Sequence, residues 1–143
     1  MRVALEEAEA AARRGEVPVG AVVSDAEGRV LARAGNRTLE LKDPTAHAEL
    51  LAIREAARLI GSERLTGCDL YVTLEPCAMC AAAISFARIR RLYFGAEDEK
   101  MGGVEHGGRF FTQATCHHAP EVYGGIGGEL ARTLLKEFFQ ARR

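Results

Sequence analysis

Cys77-Ala78-Met79-Cys80 places two thiols three residues apart directly after Pro76, and at that spacing side chains share one face of a helix. Both can reach one metal ion. The free N–H groups and positive dipole end at a helix start favour thiolate over thiol, which is the form that binds metal. By itself this spacing serves redox pairs and zinc half-sites alike, but the surrounding sequence lacks the thioredoxin-like setting a redox pair expects. The partner motif is His47-Ala48-Glu49, just inside the start of the preceding helix. Residues two apart in an ideal helix point to nearly opposite sides, so a metal-binding His47 leaves Glu49 as an outer-sphere base. His47, Cys77 and Cys80 then hold one zinc ion per chain and leave the fourth tetrahedral position for water, the layout of a catalytic site. Two thiolates and a neutral imidazole bring the charge on zinc and its ligands near zero, which weakens the Lewis acid. Lowering the bound water's pKa from ~15.7 towards ~7 therefore needs Glu49 and the helix dipoles. The competing reading is a closed structural site with a fourth ligand from the Cys116, His117, His118 cluster, and it leaves Glu49 without a role.

These groups require a scaffold that brings two helix starts together. Val3 to Arg14 has apolar positions at Val3, Ala4, Ala8, Ala11 and Ala12, an amphipathic helix closed by Gly15. Val17 to Ser24 and Arg29 to Ala34 form a β-hairpin around Asp25-Ala26-Glu27-Gly28, and a polar loop runs from Gly35 to Lys42. Asp43 and Pro44 suit a cap and first helical residue, opening a helix to Leu59 that buries Leu50, Leu51, Ile53, Ala57 and Ile60. Asp69 to Leu74 reads as a buried strand that Pro76 ends while opening a second helix through Ala87. Arg91 to Gly95 is a further strand, Met101 to Gly128 is Gly-rich and carries no clear period, and Leu130 to Gln140 is helical. Strands alternating with helices predict a three-layer α/β/α fold with a mixed central sheet.

At 143 residues the chain has room for one domain, residues 1–143, with one core. Hydrophobic residues at 48% and charged ones at 27% exclude a disordered or fibrous chain. The longest nearly apolar run, Cys77 to Ala87, falls short of the ~20 residues of a membrane span, and the N-terminal glutamates do not suit a secretory signal. The expected compartment is the cytoplasm, where four cysteines point to metal or catalysis rather than disulfides. The net charge of −1 does not announce nucleic acid. Sixteen of the 19 basic residues are arginine, however, and Arg binds phosphate and stacks on bases better than Lys. A GC-rich genome gives the same bias.

His-x-Glu paired with Pro-Cys-x-x-Cys is the known signature of zinc-dependent nucleobase deaminases. The chain resembles the bacterial tRNA-specific adenosine deaminases over nearly its whole length, through Glu16 to Val22, Gly35-Asn36-Arg37, Asp43 to Glu49, Leu70 to Cys80, Phe94-Gly95-Ala96 with Asp98 and Lys100, and the Phe138-Phe139 helix. The resemblance implies a cytidine-deaminase-like fold, a homodimer, and conversion of the first anticodon adenosine of a tRNA to inosine. It implies that His47, Cys77 and Cys80 bind zinc and that Glu49 shuttles protons. By the same resemblance Asn36 bonds the flipped base or its sugar, Val17, Pro18 and Ala48 wall the pocket, and Asp98, Lys100, Phe138 and Arg142 meet the flanking anticodon nucleotides. Further RNA affinity is expected from Arg88, Arg90, Arg91 and Arg143.

The chain departs from the family pattern at Cys80-Ala81-Ala82-Ala83, at Glu105 and His106 within the 102–107 loop, and at His117-His118. Two other functions compete with wobble editing: a deaminase of free guanine, cytosine or cytidine, and a non-catalytic RNA-binding module stapled by a closed zinc site.

Overall fold

The computed structural model describes residues 1–142, so Arg143 lies outside the described residues. In chain order the elements are α1 (Arg2–Arg13), β1 (Gly20–Ser24), β2 (Val30–Gly35), α2 (Ala48–Ile60), β3 (Asp69–Leu74), α3 (Ala78–Phe86), β4 (Arg91–Ala96), β5 (Glu121–Tyr123) and α4 (Gly128–Gln140). The strands form one sheet in the order β2-β1-β3-β4-β5. β1 runs antiparallel to β2 and β3, whereas β3, β4 and β5 are mutually parallel, so the sheet is mixed. α1 packs with α4 and α2 packs with α3, with no contact between the two pairs among the described residues. The expected three-layer α/β/α arrangement follows.

The main core fills the layer between the sheet and the α2/α3 side. Leu70 and Val72 of β3, Leu92 and Phe94 of β4 and Ile84 of α3 are fully buried there. They alternate along the strands because successive strand side chains point to opposite faces. On the other face, α1 approaches so closely that only the smallest side chains fit. Ala4, Ala8 and Ala11 are fully buried, and Gly20 and Gly35 are register partners beneath them. A Cβ on Gly20 would come within 2.6 Å of the Ala8 nitrogen, and one on Gly35 within 2.7 Å of the Glu7 carbonyl oxygen.

Several boundaries differ from the sequence expectation, each for a local reason. β1 begins at Gly20 rather than Val17, because Pro18 offers no N–H to a ladder and the Val19 N–H bonds the Val17 carbonyl at 2.8 Å. α2 begins at Ala48, not at Asp43-Pro44. Asp43 Oδ1 accepts from both the Thr45 N–H (2.8 Å) and the Thr45 hydroxyl (2.7 Å), which closes an Asx turn instead of capping a helix. The buried face of α2 is Ala48, Ala52 and Ala56, while Leu59 and Ile60 are exposed. β5 lies within the stretch that carried no clear period. Its three residues are too few to show one, and tertiary contact supplies what the pattern lacks: Tyr71, Tyr93 and Tyr123 are register partners whose rings stack at 4.5 and 5.1 Å.

The close approach of α1 yields a stability prediction. Gly20→Ala is expected to cost about 1–3 kcal/mol by overpacking, read as a lower urea midpoint. Unchanged stability would mean that α1 can move outward freely.

Candidate active site

The topology brings one set of chain ends to a single edge of the sheet. Because β3 and β4 are parallel, their C-terminal ends lie side by side, and the Gly20–Gly35 pairing puts the start of β1 and the end of β2 at the same edge. Glu75-Pro76-Cys77 follows β3, Asp98 follows β4, Val17 to Val19 precede β1, and Asn36 follows β2. Ligand sites in open α/β sheets form beyond the carboxyl ends of the strands.

Both metal-binding motifs sit at helix starts here. His47 is the residue before α2, with extended backbone (φ −73, ψ 151), and Cys77 is the residue before α3 (φ −71, ψ 175). His47 is thus a cap residue rather than a helical one, which corrects its expected place just inside the helix. Extended geometry turns its imidazole toward the neighbouring helix start. His47 Nδ1 lies 3.7 Å from Cys77 Sγ and 3.5 Å from Cys80 Sγ. These three side chains form the one candidate metal-binding group among the described residues, with ligand atoms within 4.8 Å of one another.

The spacing can be tested against zinc. Bonds of about 2.3 Å to sulfur and about 2.0–2.1 Å to nitrogen at tetrahedral angles give S···N edges of about 3.6 Å. The observed 3.5 and 3.7 Å bracket that value, so the donor set fits zinc in size as well as in chemistry. Contact with Cys80 and donation from His47 lower the Cys77 thiol, burial opposing. Contact with Cys77 and burial raise that of Cys80. The two thiols are thus pushed in opposite directions, and a divalent ion would let both bind as thiolates.

Glu49 is 4% exposed and lines the same cavity as His47 and Cys77, yet stands outside the ligand group. Burial pushes its carboxyl above the usual carboxylate range, against the pull of the His47 charge. A carboxyl so raised is suited to take up a proton and return it. The cavity is about 300 Å³, at the small end of the ~300–1,000 Å³ usual for small-molecule sites.

The other expected site residues divide by location. Val17, Asn36, Ala48 and Asp98 line the cavity with His47, Glu49 and Cys77. Pro18 does not: it is fully buried, and the tight turn at Val17–Val19 presents the two valines to the cavity instead. Lys100 and Arg142 line an adjoining groove of about 970 Å³, which shares Val17, Leu74, Asp98 and Met101 with the cavity. Phe138 is in neither. It is 8% exposed and covered by the Arg142 guanidinium, 3.4 Å above its ring centre. Its neighbour Phe139, 47% exposed, lines the groove with Arg132. Which of two adjacent aromatics faces out depends on how α4 is rotated against the sheet, and the sequence has no signal for that.

The remaining candidates lie elsewhere. Arg90 pairs with Asp69 at 2.8 Å and Arg91 with Glu121 at 3.4 Å, at the opposite end of the strands. The arginine set therefore does not converge on the groove; Arg88 follows the far end of α3, and Arg143 lies outside the described residues. Cys116 Sγ bonds the His118 carbonyl (3.2 Å), and His118 Nε2 bonds the Ile89 carbonyl (2.7 Å). Among the described residues none of Cys116, His117 and His118 joins the metal-binding group, which removes the expected fourth protein ligand. His106, expected to have no chemistry, pairs with Glu75 at 2.8 Å.

Fold and site together define a zinc-binding deaminase domain, and residues 1–96 match the family described as the cytidine and deoxycytidylate deaminase zinc-binding region. Over 143 residues the chain is 61% identical to a tRNA-specific adenosine deaminase of Agrobacterium fabrum, covering all of this chain and 93% of that one. The chain belongs to the tRNA-specific adenosine deaminase family. It superposes with a TM-score of 0.92 and 62% identity on a structure from work on A-to-I editing by tRNA:A34 deaminases at the wobble position, covering 94% of this chain and 97% of that one. A guanine deaminase from Bacillus subtilis is more distant, with a TM-score of 0.67 and 30% identity over 99% of this chain and 90% of that one.

Metal analysis separates the ligand roles from that of Glu49. Cys77→Ser is expected to lose stoichiometric zinc, whereas Glu49→Ala keeps about one zinc per chain and loses turnover. A Cys77→Ser protein that holds zinc like the wild type would overturn the ligand set.

Proposed function

We propose that residues 1–143 act as one domain that hydrolytically deaminates adenosine to inosine at the wobble position of a tRNA anticodon, releasing ammonia. One observation carries the reading beyond family membership: a base-sized cavity beside Glu49 shares Val17, Leu74, Asp98 and Met101 with a groove large enough for the neighbouring nucleotides. An anticodon loop is already unpaired at its tip, so extruding one base costs less than it would in a duplex.

His47, Cys77 and Cys80 would hold zinc, which would supply the Lewis acidity that makes a water nucleophilic at neutral pH. Glu49 takes a proton from the attacking water as its oxygen bonds to C6 of adenine, and passes that proton to N1. Glu49 then moves the remaining proton from the oxygen now on C6 to the exocyclic amino group, the C6–N bond breaks, and ammonia leaves a C6 carbonyl. Asn36 orients the base or its sugar, while Val17 and Ala48 exclude water around it. In the groove, Lys100, Arg132 and Arg142 meet phosphates, and Phe139 is the accessible face for stacking.

The direct test is incubation with a bacterial tRNA bearing adenosine at the wobble position, scored for inosine, beside free guanine, cytosine, cytidine and adenosine. Turnover of free guanine with no inosine in tRNA would favour the free-base reading that the Bacillus subtilis likeness offers. Added salt is expected to weaken tRNA binding while leaving free-nucleoside turnover nearly unchanged. Phe139→Ala is expected to weaken RNA binding by about 1–3 kcal/mol, whereas Phe138→Ala lowers stability instead. Equal effects on RNA binding would remove the distinction between the two rings.

The chain forms a homodimer in this reading. Leu59, Ile60 and Phe86 on the α2/α3 layer are exposed, Phe86 to 72%, and a second copy would cover them. Sedimentation should give twice the 15.5 kDa chain mass, and Phe86→Glu should shift it toward monomer. Among the described residues no helix is long and apolar enough to cross a membrane, and this reading has the enzyme act in the cytoplasm on its tRNA substrate.

A further inference from the structure

Glu75 is a carboxylate that the deamination steps do not use, and its side chain is fully buried. Its Oε1 accepts the Asp98 N–H at 3.1 Å and lies 2.8 Å from His106 Nδ1. Its Oε2 accepts the N–H groups of Val104 (3.3 Å), Glu105 (3.0 Å) and His106 (3.1 Å). These bonds tie two segments that follow β4 to Glu75, two residues before Cys77.

The consequence lies in what Asp98 then holds. Asp98 Oδ1 accepts the N–H groups of Lys100 (3.2 Å) and Met101 (3.0 Å), and its carbonyl accepts that of Gly102 (2.9 Å). Asp98 and Met101 form part of the wall shared by cavity and groove. Beyond them the chain has no slack: Gly103 N–H bonds the Pro76 carbonyl at 2.8 Å, and a Cβ on Gly103 would come within 2.6 Å of the Ala78 nitrogen. The reacting groups sit at the starts of α2 and α3; this segment meets them through the Gly102–Cys77 bridge and the Gly103–Pro76 bond, both beyond Met101.

Building on the wobble-editing reading above, we propose that Glu75, locked by the His106 ring, is a positioning residue that fixes the Asp98–Met101 wall against the start of α3 and so presets the path of the RNA strand. Loosening it moves the wall and leaves Glu49 and the ligands in place. The effect falls on KM for RNA rather than on kcat.

The test uses zinc-loaded, full-length protein and an anticodon stem-loop with adenosine at the wobble position. Because one hydrogen bond to a charged group is lost, His106→Ala is expected to raise KM about tenfold with kcat within about twofold and zinc content unchanged. His106→Asn, whose amide can donate from nearly the place of Nδ1, should restore KM to within about threefold of wild type. Amide exchange at Asp98 and Met101 should quicken about tenfold in His106→Ala and not in His106→Asn. Unchanged KM or unchanged exchange in His106→Ala overturns the proposal, as does a joint loss of kcat and zinc that asparagine fails to rescue. A wild-type protein that deaminates no stem-loop overturns the wobble-editing reading, and the positioning role toward RNA falls with it.

Discussion

Everything in this molecule depends on keeping two thiols and an imidazole within 4.8 Å of one another at the meeting point of two helix starts. Such a cluster resists assembly: two buried thiolates repel, and desolvation opposes each charge. The contact between the two sulfurs lowers the Cys77 thiol and raises that of Cys80. Zinc ends the conflict at a stroke, because it takes both thiolates and a neutral imidazole at close to net zero charge. The geometry of the three donors is set by the fold, through the backbone of the two helix starts.

That presetting comes from packing on both sides of the sheet. The alanine face of α2 and the buried residues of α3 hold the two helix starts against β1, β3 and β4. On the other side, the glycines of the β1–β2 pair admit α1 to direct backbone contact. Buried carboxylates then set the rims. Glu16 accepts the N–H groups of Leu39 and Glu40 on the loop after Asn36, and Glu75 accepts those on the opposite wall. A cavity walled by backbone held in this way discriminates by shape, which suits an enzyme whose substrate base must leave its neighbours and enter alone.

The sequence by itself determined the chemistry and the architecture. His47, Cys77 and Cys80 could be read from residue type and spacing because metal ligation has strict donor requirements, the two-residue offset from His47 sets Glu49 apart as a base, and the alternation of strand and helix declared itself through period. The family resemblance added the RNA substrate, which neither charge nor spacing indicated. What the tertiary structure alone decided is wherever two neighbours compete for one place. Phe139 rather than Phe138 faces the groove, Val17 and Val19 rather than Pro18 face the cavity, Asp43 closes a turn instead of starting a helix, and β5 exists because Tyr123 finds Tyr93 and Tyr71. Each of these outcomes turns on the rotation of an element or on a partner distant in sequence. Local pattern carries no energy for such choices, and packing supplies it.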